Sequence, residues 1–432
     1  MYLHKVELKN IRSIEHLVWE VLPGDEPGWH VIIGDNGAGK SGVLRAIALG
    51  LVGPREAPAL REDWNEWLRR SENWGRIEIV IDWDPDFDRF SRKGKSPSVE
   101  KRYLQSVLDF QREEDHPLLV ALQSHDLKPS PDRHVWGPGA GWFSASYGPF
   151  RRFSGGDKDK EKLYYSHPKL ARHLSVFGES VALSEGLVWL KNLHYKFLEG
   201  DSEGNLLEPV KNFVNQSDFL PHDTRLESVS SKGVRFVDGN GCEVDVESLS
   251  DGYRSILSMT FELIRQLAAT YGSGALFSKT DPTKIIVPGV VLVDEIDAHL
   301  HPSWQRRVGQ WFCDHFPMIQ FIVTTHSPLV CQSAYKGSIF RLPRPGSGEA
   351  PAMVTGLERD RLLYGNVLDA YGTGAFGDVA AQSDKALELL ERLAMLNQKE
   401  LVDRLTRAER AEQSRLRAIL PTAAHAMPED DE

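Results

Sequence analysis

The 432-residue sequence predicts an α/β fold with a mixed sheet. Three features predict it. A short apolar strand runs into a glycine-rich loop and then a helix, a second apolar strand ends in two adjacent carboxylates, and the N-terminal residues alternate as in paired strands. With 41% hydrophobic and 26% charged residues, the chain can build a packed core, which excludes wholesale disorder.

Residues 2–20 carry Leu3, Val6 and Leu8, then Ile11, Ile14, Leu17 and Val18, the spacing of two strands in a hairpin. His30-Val31-Ile32-Ile33 is a short strand, and Val43, Leu44, Ile47, Ala48 and Leu51 give a helix that stops near Gly53-Pro54. Residues 76–83 read as a strand. The polar stretch 84–140 reads as an irregular insertion with helix around 100–112, and 141–147 reads as a strand. A helical pattern spans about 176–216, and 226–246 is strand-like with a turn at Asp238-Gly239-Asn240-Gly241. A helix follows from about 251 to 270, then buried strands at 285–293 and 319–324. Beyond 378, Leu389, Leu393, Leu396, Leu401, Leu405, Leu416 and Ile419 space two amphipathic helices. These would either dock a partner or pack on the protein's own core.

Lys and Arg number 51 against 62 Asp and Glu, a net charge of −11, so net charge cannot drive nucleic-acid binding. Any DNA or RNA contact must be local, and the clusters at 89–95 and 151–162 could form such a stripe. Cys242, Cys313 and Cys331 offer no Cys-x-x-Cys spacing, which fits a reduced compartment and no zinc ribbon. No apolar run approaches membrane-spanning length and the N-terminus lacks a signal-like apolar region, so the expectation is a cytoplasmic protein without a membrane partner.

The segment Gly34-Asp35-Asn36-Gly37-Ala38-Gly39-Lys40-Ser41 matches the phosphate loop G-x-x-x-x-G-K-[ST]. Its glycines let N–H groups face phosphates, the following helix start adds positive potential, and Lys40 would reach the β/γ oxygens. Gly34, Asn36, Gly37, Ala38, Gly39, Lys40, Ser41 and Gly42 are therefore the candidate ATP contacts, with Ser41 also on Mg²⁺. The strand Val290–Val293 delivers Asp294 and Glu295: Asp294 would hold the metal and Glu295 would take the proton of the attacking water.

Leu249-Ser250-Asp251-Gly252-Tyr253 opens a helix and resembles the signature of ABC-type ATPases, Leu-Ser-Gly-Gly-Gln. Ser250 and Gly252 match, which implies that they contact ATP bound on the other protomer, whereas Asp251 and Tyr253 depart. Taken alone, the segment is an ordinary helix N-cap. Thr324-Thr325-His326-Ser327-Pro328 resembles the switch-histidine segment of the same family, which implies that His326 senses the γ-phosphate. Asp297-Ala298-His299-Leu300-His301-Pro302 resembles the D-loop, which in that family crosses the dimer interface. With this order of motifs the chain is similar to the RecF/SMC/OLD-like branch of ABC-type ATPases, over about 1–83 and 226–345. The resemblance implies an ABC-type P-loop ATPase head with four parts. These are a lobe at 1–83 with the phosphate loop, a largely helical or irregular insertion at 84–225, the signature and carboxylate half at 226–345, and a helical tail at 346–432. The segments 147–155 and 297–304 look most similar to the ATPases of bacterial antiphage defence modules of the Septu kind.

That resemblance implies ATP and Mg²⁺ as cofactors and catalytic roles for Lys40, Glu295 and His326. It further implies a homodimer or higher homo-oligomer that works as an ATP-hydrolysing switch, controlling a separate nuclease subunit of HNH type in antiphage defence or DNA repair. The glutamine-loop residue of the family has no evident match. Tyr147-Gly148 with Arg151 or Arg152 could occupy that region, the arginines facing phosphate, nucleic acid or solvent. Two other function classes are weighed. One is an ATPase with its own nuclease, against which stands the lack of an Asp-x-Asp after His326. The other is an ATP-bound scaffold or DNA-binding protein with little hydrolysis.

Overall fold

A computed structural model describes residues 1–89, 103–112, 120–124, 130–137, 139–157, 162–178, 181–217, 219–366, 384–402 and 404–420. Strand β1 (Tyr2–Ile11) buries Leu3, Val6, Leu8 and Ile11 and turns through Arg12 and Ser13 into β2 (Ile14–Glu20). With β4 (Trp74–Asp82), β5 (Tyr103–Arg112) and β6 (Val120–Ser124) they form an antiparallel sheet in the order β2-β1-β4-β5-β6. A second sheet has the order β14-β13-β3-β12-β11-β7, and only its β13–β14 pair is antiparallel. Its members are β3 (Gly28–Ile33), β7 (Ser144–Tyr147), β11 (Gly289–Val293), β12 (Ile319–Thr324), β13 (Ile339–Arg341) and β14 (Ala352–Met353). A small sheet of β8 (Arg225–Ser230), β9 (Gly233–Val237) and β10 (Glu243–Asp245) precedes the signature segment, with the expected turn between β9 and β10.

Each central strand serves two cores, because successive side chains point to opposite faces. Ile32, Val290, Leu292 and Ile322 meet α1 (Lys40–Val52) and the antiparallel sheet. Val31, Ile33, Val291, Val293, Phe321 and Val323 face the helices Asp251–Tyr271 and Pro302–His315 on the other side. The helices in chain order are α2 (Glu185–Glu199), α3 (Leu207–Val214), α4 (Asp251–Tyr271), α5 (Pro302–His315) and α6 (Gly356–Tyr364). Full burial on both faces explains why β11 reads as an unbroken apolar run. Each such side chain contributes about 1.5–3 kcal/mol relative to exposure.

Two expectations are corrected here. Residues 103–112 are not helical: they form β5, paired antiparallel with β4 from Asp82↔Tyr103 to Trp74↔Gln111. The stretch 84–140, read as irregular, also contributes β6, which with β5 extends the antiparallel sheet, whereas β7 falls within the strand expected at 141–147 and pairs in parallel with β11. The basic residues at 90–95, 100–102 and 158–161 lie outside the described residues.

Residues Met1–Phe376 form one compact unit and Gly377–Glu432 a second. In the second, α7 (Asp384–Val402) and α8 (Arg407–Ile419) pack on each other through Leu393, Leu396, Leu405, Leu416 and Leu420. Thr406 and Glu409 form a reciprocal capping box at the start of α8. No helix among the described residues is long and apolar enough to cross a membrane.

Candidate nucleotide-binding site

The phosphate loop follows the buried Ile33 at the C-terminal end of β3. Gly37 (φ 80°) and Gly39 (φ 99°) take left-handed backbone conformations, and Gly39 is the N-cap of α1. A side chain at Gly39 would put its Cβ 2.8 Å from Ser13 Oγ, so the β1–β2 turn fixes how tightly the loop closes. Lys40 is the first residue of α1 and is buried. Its Nζ donates to Gly34 O at 2.8 Å and to Asp35 O at 3.1 Å. Burial lowers its pKa, while the carboxylates of Asp294, Glu295, Asp35 and Asp297 oppose that shift. Asn36 is exposed at the loop tip, and Ala38, Ser41 and Gly42 are half-buried. Asp35 is held from outside by Arg344 at 3.0 Å.

The carboxylate pair sits at the same end of the sheet, two strands away. Asp294 is buried, and its N–H donates to Tyr147 O at 2.8 Å, extending the β11–β7 ladder to the point where a glutamine loop was sought. Thr324 at the end of β12 bridges the pair. Its hydroxyl donates to Asp294 Oδ1 at 2.5 Å and accepts from the Glu295 N–H at 2.8 Å. Glu295 has φ 46°, a left-handed backbone that only surrounding bonds can hold in a non-glycine residue. Thr325 donates to Asp297 Oδ1 at 2.6 Å, which ties the next turn to the histidine segment and leaves His326 exposed.

Thr324→Val keeps the side-chain shape but strips the hydroxyl from both carboxylate residues. We expect about 1–3 kcal/mol less stability, the penalty of orphaning buried polar groups, together with slower ATP turnover. Denaturant unfolding and a phosphate-release assay check this, and a variant matching wild type in both would contradict the bridging role.

Ser250 is the N-cap residue of α4, yet its hydroxyl makes no capping bond and the residue is exposed. Gly252 packs so closely on the Asp297–Pro302 turn that a Cβ there would lie 2.7 Å from His299 O. Asp251 pairs with Arg254, and Tyr253 Oη donates to Pro221 O at 2.8 Å. His301 caps α5: its ring accepts from Ser303 N at 3.3 Å.

Sequence reasoning left Arg151 facing phosphate, nucleic acid or solvent, and the structure corrects this. Arg151 is buried, and its guanidinium is spent on the protein's own main chain. Nη1 donates to Gly148 O at 2.9 Å and Asp294 O at 2.7 Å, Nη2 to Glu295 O at 3.0 Å and Ile296 O at 3.5 Å, and Nε to Ser255 Oγ at 2.9 Å. Burial pushes its pKa down to about 10, against the pull of Asp294, Asp297 and Glu295, so it stays charged at neutral pH. Arg152, in contrast, points outward and donates to Gly155 O at 3.0 Å.

Residues 30–332 match the family described as "AAA domain, putative AbiEii toxin, Type IV TA system". The chain belongs to this family. The AAA domain so identified covers the phosphate loop, signature segment, carboxylate pair and switch histidine in the order of an ABC-type ATPase. The Septu protein PtuA of Bacillus mycoides (strain KBAB4) is 24% identical over 341 residues, 78% of this chain and 40% of that protein. The Retron Ec83 probable ATPase of Escherichia coli is 36% identical over 138 residues, 32% of this chain and 24% of that protein. The Retron Vc95 probable ATPase of Vibrio cholerae serotype O1 biovar El Tor is 25% identical over 378 residues, 76% of this chain and 71% of that protein. The aligned part of the chain thus spans well under half the length of the first two relatives. Among solved structures, an SMC head bound to the C-winged helix domain of ScpA aligns at a TM-score of 0.48 with 17% identity, over 83% of this chain and 99% of that chain.

The side chains of this AAA domain fit ATP and Mg²⁺. Ser41 and Asp294 carry the hard oxygen atoms that Mg²⁺ prefers, and these two would hold it. Lys40 already holds its ammonium against carbonyl oxygens of the loop, within reach of incoming phosphate oxygens. The first N–H groups of α1 have no acceptor within the helix.

Proposed function

We propose that the protein is a dimeric ATP switch that hydrolyses ATP and controls a separate nuclease subunit, of HNH type, in antiphage defence. The observation that carries this reading is the convergence of Lys40, Asp294, Glu295 and the His326 segment at the C-terminal ends of three adjacent strands. Phosphoryl transfer asks the protein mainly for positioning and charge stabilisation. Here the loop N–H groups and Lys40 bind and orient the phosphates. Glu295, aimed by its left-handed backbone, accepts the proton of the attacking water, and His326 senses the γ-phosphate. Ser41 and Asp294 would hold Mg²⁺, which would supply charge neutralisation to the phosphates.

The dimeric part rests on Ser250. An exposed N-cap hydroxyl with no capping bond is free to meet the γ-phosphate bound on a second copy. ATP then belongs to the interface, and its hydrolysis removes the contacts that favour the closed pair. The likeness to Septu protein PtuA and to the Retron Vc95 probable ATPase supports the defence role and the ATPase reading.

Ser250→Arg should bind ATP as a monomer, fail to dimerise and lose about 10²–10³-fold in turnover, the range for removing one preorganised donor. Mass in solution with ATP·Mg²⁺, beside nucleotide titration, tests this. A Ser250→Arg protein that dimerises and hydrolyses ATP normally would sink the reading.

A further inference from the structure

We propose that Arg151 is a positioning residue that couples the signature segment of a protomer to that protomer's own Glu295, so that the two ATP sites of the dimer act cooperatively. The proposal rests on the dimeric-switch reading. A guanidinium carries five N–H donors in a rigid fork. In Arg151 the fork spans three pieces of chain: the loop after β7 at Gly148, the turn Asp294–Ile296 after β11, and Ser255 in α4. None of these acceptors is a carboxylate or a solvent-facing group, so the residue acts as a strut within the protein.

The strut has a moving end and a responding end. Ser255 lies five residues beyond Ser250, little more than one turn into the same helix, and α4 is buried from Ser255 to Ile264. A pull on Ser250 and Gly252 by the partner's γ-phosphate therefore moves Ser255 with the helix as a rigid piece. At the other end Arg151 holds the carbonyls of Asp294 and Glu295, and Glu295 keeps its left-handed φ of 46° only through such bonds. Shifting the fork re-aims the Glu295 carboxylate. ATP engaged in one site of the dimer thereby sets the readiness of the other.

Replacing Arg151 itself would strip donors from a buried turn and would confuse coupling with folding. Ser255→Ala is the cleaner test, because it cuts only the link to α4 and leaves the bonds to Gly148, Asp294 and Glu295. In wild type the rate of phosphate release should rise sigmoidally with ATP, with a Hill coefficient approaching about 2, the number of coupled sites. In Ser255→Ala the coefficient should fall to about 1, with ATP affinity and ATP-dependent dimer mass kept and the thermal midpoint lowered by the orphaned Arg151 Nε donor. Ser255→Thr, which restores the hydroxyl, should recover the sigmoid. A merely structural serine would move the thermal midpoint and leave the coefficient alone. A dimerising wild type with a hyperbolic rate curve, or a Ser255→Ala protein with an unchanged coefficient, overturns the coupling while the switch stands. A wild type that never dimerises with ATP overturns both.

Discussion

A Glu295→Gln protein should bind ATP as tightly as wild type, lose about 10²–10⁴-fold in hydrolysis, and accumulate as an ATP-bound dimer. The fold loss is the usual worth of a positioned general base. The amide keeps the size of the side chain and leaves the backbone bonds to Thr324 and Arg151 intact, so the turn should stay in place. What goes is the ability to take a proton from water. Because the phosphate contacts of Lys40 and the loop are untouched, the bound state no longer decays and the closed pair is trapped. Mass in solution with and without ATP·Mg²⁺, together with phosphate release, measures both halves. Wild-type turnover in this variant would remove Glu295 from its role. A monomer that nonetheless holds ATP would point to the scaffold alternative.

Lys40→Ala should act one step earlier, at binding. The ammonium is buried and the carboxylates Asp294, Glu295 and Asp297 lie close enough to influence it. Removing it leaves those charges facing a polyphosphate anion without compensation. Truncating one partner of a buried charge pair costs about 2–5 kcal/mol, or roughly 30-fold to several thousandfold in Kd. Titration with ATP·Mg²⁺ reads this directly, and an unchanged Kd would contradict the phosphate-loop assignment. Among the described residues the Lys40 ammonium donates to the Gly34 and Asp35 carbonyls within its own loop, so the fold itself should survive the change.

Much of the site is legible in the sequence because its parts are local. The phosphate loop is one contiguous segment whose glycines must be glycine. The Asp294-Glu295 pair stands directly after a run that only a strand buried on both faces would carry. The strand at 103–112 is different. Leu104, Val107 and Leu108 fall at i, i+3 and i+4, the spacing of a helix face. The true period of two runs through Leu104, Ser106, Leu108 and Phe110, and it is masked because the inward Ser106 is polar. Ser106 is buried facing α1 and donates to Gly50 O at 3.0 Å, a partner 56 residues away. Arg151 was hidden in the same manner: its acceptors at Asp294 and Glu295 are main-chain carbonyls 143 and 144 residues further on. A carbonyl carries no residue identity, so no pairing of side-chain types could announce it. Thr324 was visible only as part of the histidine segment, since its bridging role depends on β12 lying beside β11.

The two-sided burial of β3, β11 and β12 has a consequence for where the protein opens first. Backbone buried between two cores comes apart only when both are lost, whereas a helix end with an exposed cap can fray for little free energy. The nucleotide-orienting groups are therefore tied to the segments that yield last. The signature segment instead starts at the exposed Ser250, at the end of a helix buried from Ser255 onward, so contacts there form and break at the surface while the helix stays whole. Partner recognition can then be made and broken repeatedly without melting the floor on which the phosphates rest.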